Sequence, residues 1–283
     1  MKLISGSELA REIQKNLREE NTEAGIEPCL AIIIIGDNKE DLIYVGLKNK
    51  AVDAIGGQAR LIHLAKNVEI EDLLETINKL NQDKEVDGIL LQLPLPDMLE
   101  KHREEILSAI RPDKDVDGFC PSNRGKLSGE SPGFVSCAAL AAMEVIDRYH
   151  PSLIGQKALL VGDSFDLIIP LAVILIKRGC QVSISPDYED HLMKGKNIAV
   201  IEKGAASIVK KKDIDGGTIV IDAGFYWESD RVCGNVDRDE VADHDGYLLP
   251  VPGGIGPLLI AKLMVNLSQA ASTKASMKQG CEG

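Results

Sequence analysis

Short, nearly unbroken apolar runs separated by stretches of amphipathic helix constrain this chain more than any other feature. The runs Leu30 to Ile35, Ala59 to Leu64 and Gly88 to Leu93 are of strand length and largely apolar at consecutive positions. Strands of that kind are covered on both faces, which is the situation of a parallel sheet with helices on either side. Helical patterns fill the gaps over Ser7 to Glu20, Tyr44 to Ile55, Ile70 to Asn81 and Leu99 to Ile110. Each is long enough for the crossover that parallel strands require.

Residues 111 to 136 change character, with Pro112, Pro121, Gly125, Gly129, Pro132 and Gly133 among polar residues, as in a connecting segment. A second set follows: helix Ala138 to Tyr149, strand Lys157 to Val161, helix Leu167 to Arg178, then strands Gln181 to Ser185, Asn197 to Ile201 and Thr218 to Asp222. The pattern predicts an α/β protein of two domains, each a mostly parallel sheet with flanking helices, the second doubly wound and Rossmann-like. Beyond Pro250-Val251-Pro252-Gly253-Gly254-Ile255-Gly256-Pro257, an apolar helix over about 258–267 precedes a polar tail, expected to be disordered from Ser272. The expected domains are 1–120 with the helix at about 257–271, and 121–256, leaving 272–283 as tail.

A net charge of −12 and a pI near 5.0 argue against nucleic acid or an anionic membrane as partner, since phosphate attraction needs a dense positive patch. The longest apolar stretch, Leu167 to Ile176, contains Pro170 and falls short of the roughly 20 residues of a spanning helix. Six cysteines stand apart with no CxxC pair and no histidine at metal-ligand spacing, so a reduced cytoplasmic protein without metal is expected. The N-terminus lacks a signal-peptide core, and Ser5-Gly6-Ser7-Glu8 reads as a helix start with an S-x-x-E capping box.

Three clusters carry chemistry. Tyr44 and Lys48 lie at i and i+4, on one helix face near the carboxyl edge of the sheet, where open α/β folds bind ligands. Lysine there is a candidate base, because burial or a cationic substrate favours the neutral amine that accepts a proton. Taken alone, such a pair is more often solvated surface. Asp87-Gly88-Ile89-Leu90-Leu91-Gln92-Leu93-Pro94-Leu95-Pro96 sets one uncharged hydrogen-bonding side chain, Gln92, at the tip of a buried strand. It either faces a ligand or satisfies loop backbone. Arg111-Pro112-Asp113-Lys114-Asp115-Val116-Asp117-Gly118-Phe119 is rich in carboxylates but lacks EF-hand spacing, and a carboxylate there suits the N–H groups of a pterin-like ring.

Tyr-Val-x-x-Lys-x-Lys-Ala, Asp-Gly-Ile-Leu-Leu-Gln-Leu-Pro-Leu-Pro, Pro-Asp-Lys-Asp-Val-Asp-Gly-Phe and Pro-Val-Pro-Gly-Gly-Ile-Gly-Pro stand in this order. Together they resemble the bifunctional methylenetetrahydrofolate dehydrogenase/methenyltetrahydrofolate cyclohydrolase (FolD) family, over about residues 2–270. The resemblance implies an active site in an interdomain cleft and a homodimer formed through the second domain. Lys48 would be the catalytic lysine, assisted by Gln92, with Tyr44 positioning the folate. Asp117 would grip the pterin, Gly253, Gly254 and Pro257 would line the substrate, and NADP or NAD would bind at Gly162, Ser164 and Gly204.

The likeness breaks at the nucleotide loop. Where the family reads approximately Gly-x-Ser-x-x-x-Gly-x-Pro, this chain has Gly162-Asp163-Ser164-Phe165-Asp166-Leu167-Ile168-Ile169-Pro170, with Ile168 at the glycine and Ile169 where arginine is common. Ser136-Cys137-Ala138-Ala139 replaces Pro-Cys-Thr-Pro, Glu202-Lys203-Gly204 replaces a small-residue loop, Leu259 a threonine and Asp41 a serine. The acidic Asp187-Tyr188-Glu189-Asp190 would repel a 2'-phosphate, whereas Asp187 suits a ribose 2'-hydroxyl. Three readings follow. The first is a cyclohydrolase whose dehydrogenase activity is weakened, switched to NAD or lost. The second is a non-catalytic folate- or partner-binding paralogue, and the third an unrelated Rossmann dehydrogenase.

Overall fold

The computed structural model describes residues 1–150, 152–228 and 231–280, with side chains described as far as residue 276. The chain divides into two compact units, one of Arg11–Cys137 with the residues from Ile260 onward, the other of Met1–Ala10 with Ala138–Leu259.

In the first unit, Cys29–Ile35 is the central strand of a three-stranded parallel sheet, between Gln58–Leu64 and Gly88–Leu91. Its position explains its composition: Leu30 to Ile34 are at most 1% exposed, because helices cover both faces. The helix Ile70–Gln82 turns Leu73 and Ile77 into this core, and Lys39–Ala54 turns in Val45, Ala51 and Val52. Truncating one such isoleucine to alanine costs about 2–5 kcal/mol.

In the second unit six strands, all parallel, run in the order Lys2–Leu3, Tyr247–Leu249, Ile219–Asp222, Ile198–Ile201, Lys157–Val161, Gln181–Ser185. The chain order reverses beside Lys157–Val161, the switch point at which open sheets of this class present a ligand crevice. The loop from Gly162 to Leu167 leaves the sheet there. Asp222, at the end of its strand and 1% exposed, accepts backbone N–H groups of Gly224 (3.1 Å), Asn235 (2.9 Å) and Val236 (2.9 Å). Burial pushes its carboxyl up to about 6 while those three donors pull it down. Gly234 leaves room for it, since a Cβ there would lie 2.0 Å from Asp222 Oδ2.

Several boundaries differ from expectation. Lys2–Leu3 is an edge strand of the second sheet, paired with Tyr247–Leu248, so the first residues do not belong with the 1–120 block. Residues 121–137 group with the first unit, where Asn123 Nδ2 donates to Pro112 O and to Asp115 Oδ2, both at 2.9 Å. The helix expected over 99–110 is two short helices, Asp97–Glu100 and Arg103–Ala109. The tail expected from Ser272 instead continues the helix Ile255–Gly280. Thr273 and Ser276 return their hydroxyls to the carbonyls of Gln269 and Ser272, and Lys274 anchors the turn on Lys84 O and the Asp87 carboxylate. Residues 281–283 of the expected tail lie outside the described residues. The strands Lys2–Leu3, Tyr226–Glu228, Arg231–Cys233 and Tyr247–Leu249 were too short for periodicity to reveal. Ser5 Oγ does accept the Glu8 N–H at 3.2 Å, as the capping signal predicts. Among the described residues, no helix is long and apolar enough to cross a membrane.

Candidate active site

Lys48 is drawn into the first unit by its place on the helix Lys39–Ala54, three residues after buried Val45 and four before buried Val52. It is 8% exposed, whereas Tyr44, one turn earlier, is 44% exposed. The bland expectation of a solvated lysine therefore fails, while Tyr44 presents its ring to solvent. Lys48 Nζ donates to Gln92 Oε1 at 2.9 Å. Gln92 stands just past the strand Gly88–Leu91, and its backbone N–H still pairs with Ile33 O at 2.9 Å. Its amide is held the right way round, because Nε2 donates to Leu93 O at 2.8 Å and makes a long contact of 3.5 Å to Asp41 Oδ1. Burial raises the Asp41 carboxyl, against the Gln92 amide and, more weakly, Lys48.

The three aspartates of the 113–117 turn have separate duties. Asp113 forms an exposed ion pair with Arg111 at 2.6 Å. Asp115, 1% exposed, accepts from Phe119 N (3.1 Å), Cys120 N (2.8 Å) and Asn123 Nδ2 (2.9 Å), which fixes the turn itself. Asp117 hydrogen-bonds with the Cys137 thiol. Burial, and then the Asp117 charge, push that thiol well above the usual range while Lys48 pulls it down, so Cys137 lies within electrostatic reach of both. Asn266 completes the arrangement, its Nδ2 donating to Val116 O (2.8 Å) and Val135 O (3.0 Å). Neither Cys137 nor Asn266 is among the site residues that the sequence predicts. Buried polar residues inside apolar helices, as Asn266 is, were the available signal.

Gly253, Gly254 and Pro257 fall in the second unit. The two glycines have structural reasons of their own: Gly253 has φ +87°, and a Cβ on Gly254 would lie 2.1 Å from Pro250 O. The start of the first helix packs on them, with Ser7 N donating to Gly253 O at 3.2 Å.

The residues of the Gly162 loop do not fit a dinucleotide pyrophosphate. Such a group needs a close glycine and free N–H groups at the following helix. Here Ser164 Oγ accepts from Leu167 N (3.3 Å) and Ile168 N (3.2 Å), Ser164 O accepts from Ile169 N (3.1 Å), and Ile168 is fully buried. A Cβ on Gly162 would lie 2.4 Å from Glu202 Oε2, so that carboxylate stands where the chain would receive an anion. Gly204 has φ +139° and its hydrogen faces Asn235 and Tyr188. Asp187 is exposed and its carbonyl accepts from Ser185 Oγ at 2.7 Å. Among the described residues, no group of three or more His, Cys, Asp or Glu could hold a metal ion.

Two parallel-sheet units, one holding a buried amine against an amide at the carboxyl edge of its sheet, define an α/β enzyme of two domains. Residues 4–117 match the tetrahydrofolate dehydrogenase/cyclohydrolase catalytic domain, and residues 136–275 that family's NAD(P)-binding domain. The chain belongs to the tetrahydrofolate dehydrogenase/cyclohydrolase family. It is 59% identical over 276 residues to "Bifunctional protein FolD 1" of Syntrophomonas wolfei, covering 97% of this chain and 100% of that one. The crystal structure of the bifunctional enzyme FolD from Campylobacter jejuni is 36% identical, with a TM-score of 0.90 over 96% of this chain and 99% of the other. The Trypanosoma brucei dehydrogenase-cyclohydrolase, solved with NADP cofactor and inhibitor, is 29% identical, with a TM-score of 0.90 over 96% and 98%.

Proposed function

We propose that the chain interconverts one-carbon groups on tetrahydrofolate by hydrolysing 5,10-methenyltetrahydrofolate to 10-formyltetrahydrofolate, with Lys48 as base. The observation that carries this reading is the Lys48–Gln92 hydrogen bond, which aims a buried amine at the edge where the sheet opens. Water adds to the amidinium carbon and gives up a proton to Lys48. As the adduct collapses, the hydroxyl loses its proton, the bond to the ring nitrogen breaks, and that nitrogen takes up a proton to leave the formyl group on its partner. Gln92 fixes the amine, Tyr44 covers the substrate ring, and Asp117 accepts the pterin N–H groups.

The test is the fall in methenyltetrahydrofolate absorbance with purified protein. A rate well above that of buffer is expected. A rate equal to buffer, together with saturable folate binding, would instead identify a non-catalytic paralogue. Asp117→Asn is expected to raise KM about 10- to 100-fold with a smaller change in kcat, the loss of a charge-assisted hydrogen bond. Steady-state kinetics over a range of folate concentrations separates the two.

The same reading makes the protein a cytoplasmic homodimer. Support for the compartment comes from five free thiols among the described residues, Cys29, Cys120, Cys137, Cys180 and Cys233. Support for the dimer comes from the second unit, where Phe225 and Trp227 are 57% and 67% exposed and meet edge-on at 6.3 Å at the strand Tyr226–Glu228, which pairs antiparallel with Arg231–Cys233.

A further inference from the structure

The strand Ile198–Ile201 ends beside Gly162, and the next residue sends its side chain back over the switch point. Glu202 N pairs with Val161 O at 2.9 Å, which sets the residue level with the turn. Its carboxylate hydrogen-bonds with Ser164, and its Oε2 is sealed from solvent with no hydrogen-bond partner. Ser164 is the residue that already satisfies the first N–H groups of the helix Ile168–Lys177. Asp163 and Asp166 add two more carboxylates beside Glu202, and Lys203 pairs with Asp163 at 2.6 Å.

We propose that Glu202 occupies the space above Gly162 that a pyrophosphate would need, so that this unit takes no dinucleotide and the chain is a cyclohydrolase alone. The proposal rests on the hydrolytic reading for what remains, but its geometry is independent of it. Three features act in the same direction. A carboxylate displaces the phosphate sterically, the donors that would bind the phosphate are already used, and the surrounding charge is negative. Its consequence concerns the substrate's origin. Where the cyclic cation comes from the methylene compound it forms by loss of a hydride, so by that route a separate enzyme, with its own hydride acceptor, supplies it.

Calorimetric titration of the full-length protein with NAD+ and with NADP+, in separate runs, decides the matter, with methenyltetrahydrofolate hydrolysis measured on the same preparation. Neither nucleotide is expected to give saturable heat at up to about 1 mM. Micromolar binding of either one overturns the proposal, whether or not hydrolysis is seen. Absent hydrolysis with absent nucleotide binding removes the hydrolytic reading and leaves the closed site standing.

Glu202→Gln supplies a second measurement. Burial, and then the nearby Asp166 and Asp163, raise the Glu202 carboxyl above its usual range against its bonds to Ser164. The folded protein thus holds this proton more tightly than the unfolded chain, and ionisation removes stability as pH climbs through the ordinary carboxylate range and above. The glutamine variant should melt higher than wild type at pH 7, with the difference vanishing toward pH 4. A variant that melts lower at pH 7 would mean that the carboxylate is a solvated ion-pair member, and the space above Gly162 open.

Discussion

Lys48→Ala is expected to lower kcat for methenyltetrahydrofolate hydrolysis by about 10²- to 10⁴-fold, the range that a positioned general base contributes. The prediction follows from placement. The side chain reaches its 8% exposure on the buried stripe of its helix and is tied to Gln92 at 2.9 Å, so its stem is held and its amine directed. Because the amine acts on the attacking water, KM should change far less than kcat. Lys48→Arg keeps a long cationic side chain but no usable base, and should fare nearly as badly. The melting midpoint of each variant, measured alongside, should stay within a few degrees of wild type. Retention of more than about a tenth of the wild-type kcat by the alanine variant would assign the proton to another group.

The second large effect is on stability. Asp222→Ala leaves the N–H groups of Gly224, Asn235 and Val236 without their acceptor in a buried turn. At about 1–3 kcal/mol for each unsatisfied donor, and with some relief from entering water, a loss of about 3–5 kcal/mol is expected. That corresponds to a fall of roughly 10 °C or more in the melting midpoint. Asp222→Asn keeps one side-chain oxygen and should fall between alanine and wild type. Thermal unfolding followed by circular dichroism measures all three. An alanine variant that melts with wild type would show that this carboxylate does not hold the Gly224–Val236 turn.

Much of this was legible from residues alone. The buried strands Leu30–Ile35 and Lys157–Val161 were legible because central parallel strands are apolar at nearly consecutive positions, and their short length between turn residues separates them from the longer apolar helix Ile168–Lys177. The two-residue strand Lys2–Leu3 and the strand Tyr247–Leu249 left none. They owe their conformation to a neighbouring edge rather than to their own pattern. The helix running on past Ser272 was hidden for a similar reason, since its polar turns are held by contacts such as Lys274 with Asp87.

Local order along the chain determined the two parallel sheets, the helix that carries Lys48, and the altered residues of the Gly162 loop, because periodicity and side-chain size act over a few neighbouring residues. Only the tertiary structure decided that Lys48 is buried against Gln92, 44 positions away, and that Cys137 comes within reach of Asp117. It also decided that Glu202 reaches back over Gly162, 40 residues before it. These are contacts between strand ends and helices distant in sequence, set by how sheets stack their crossovers, and no short stretch of residues encodes them.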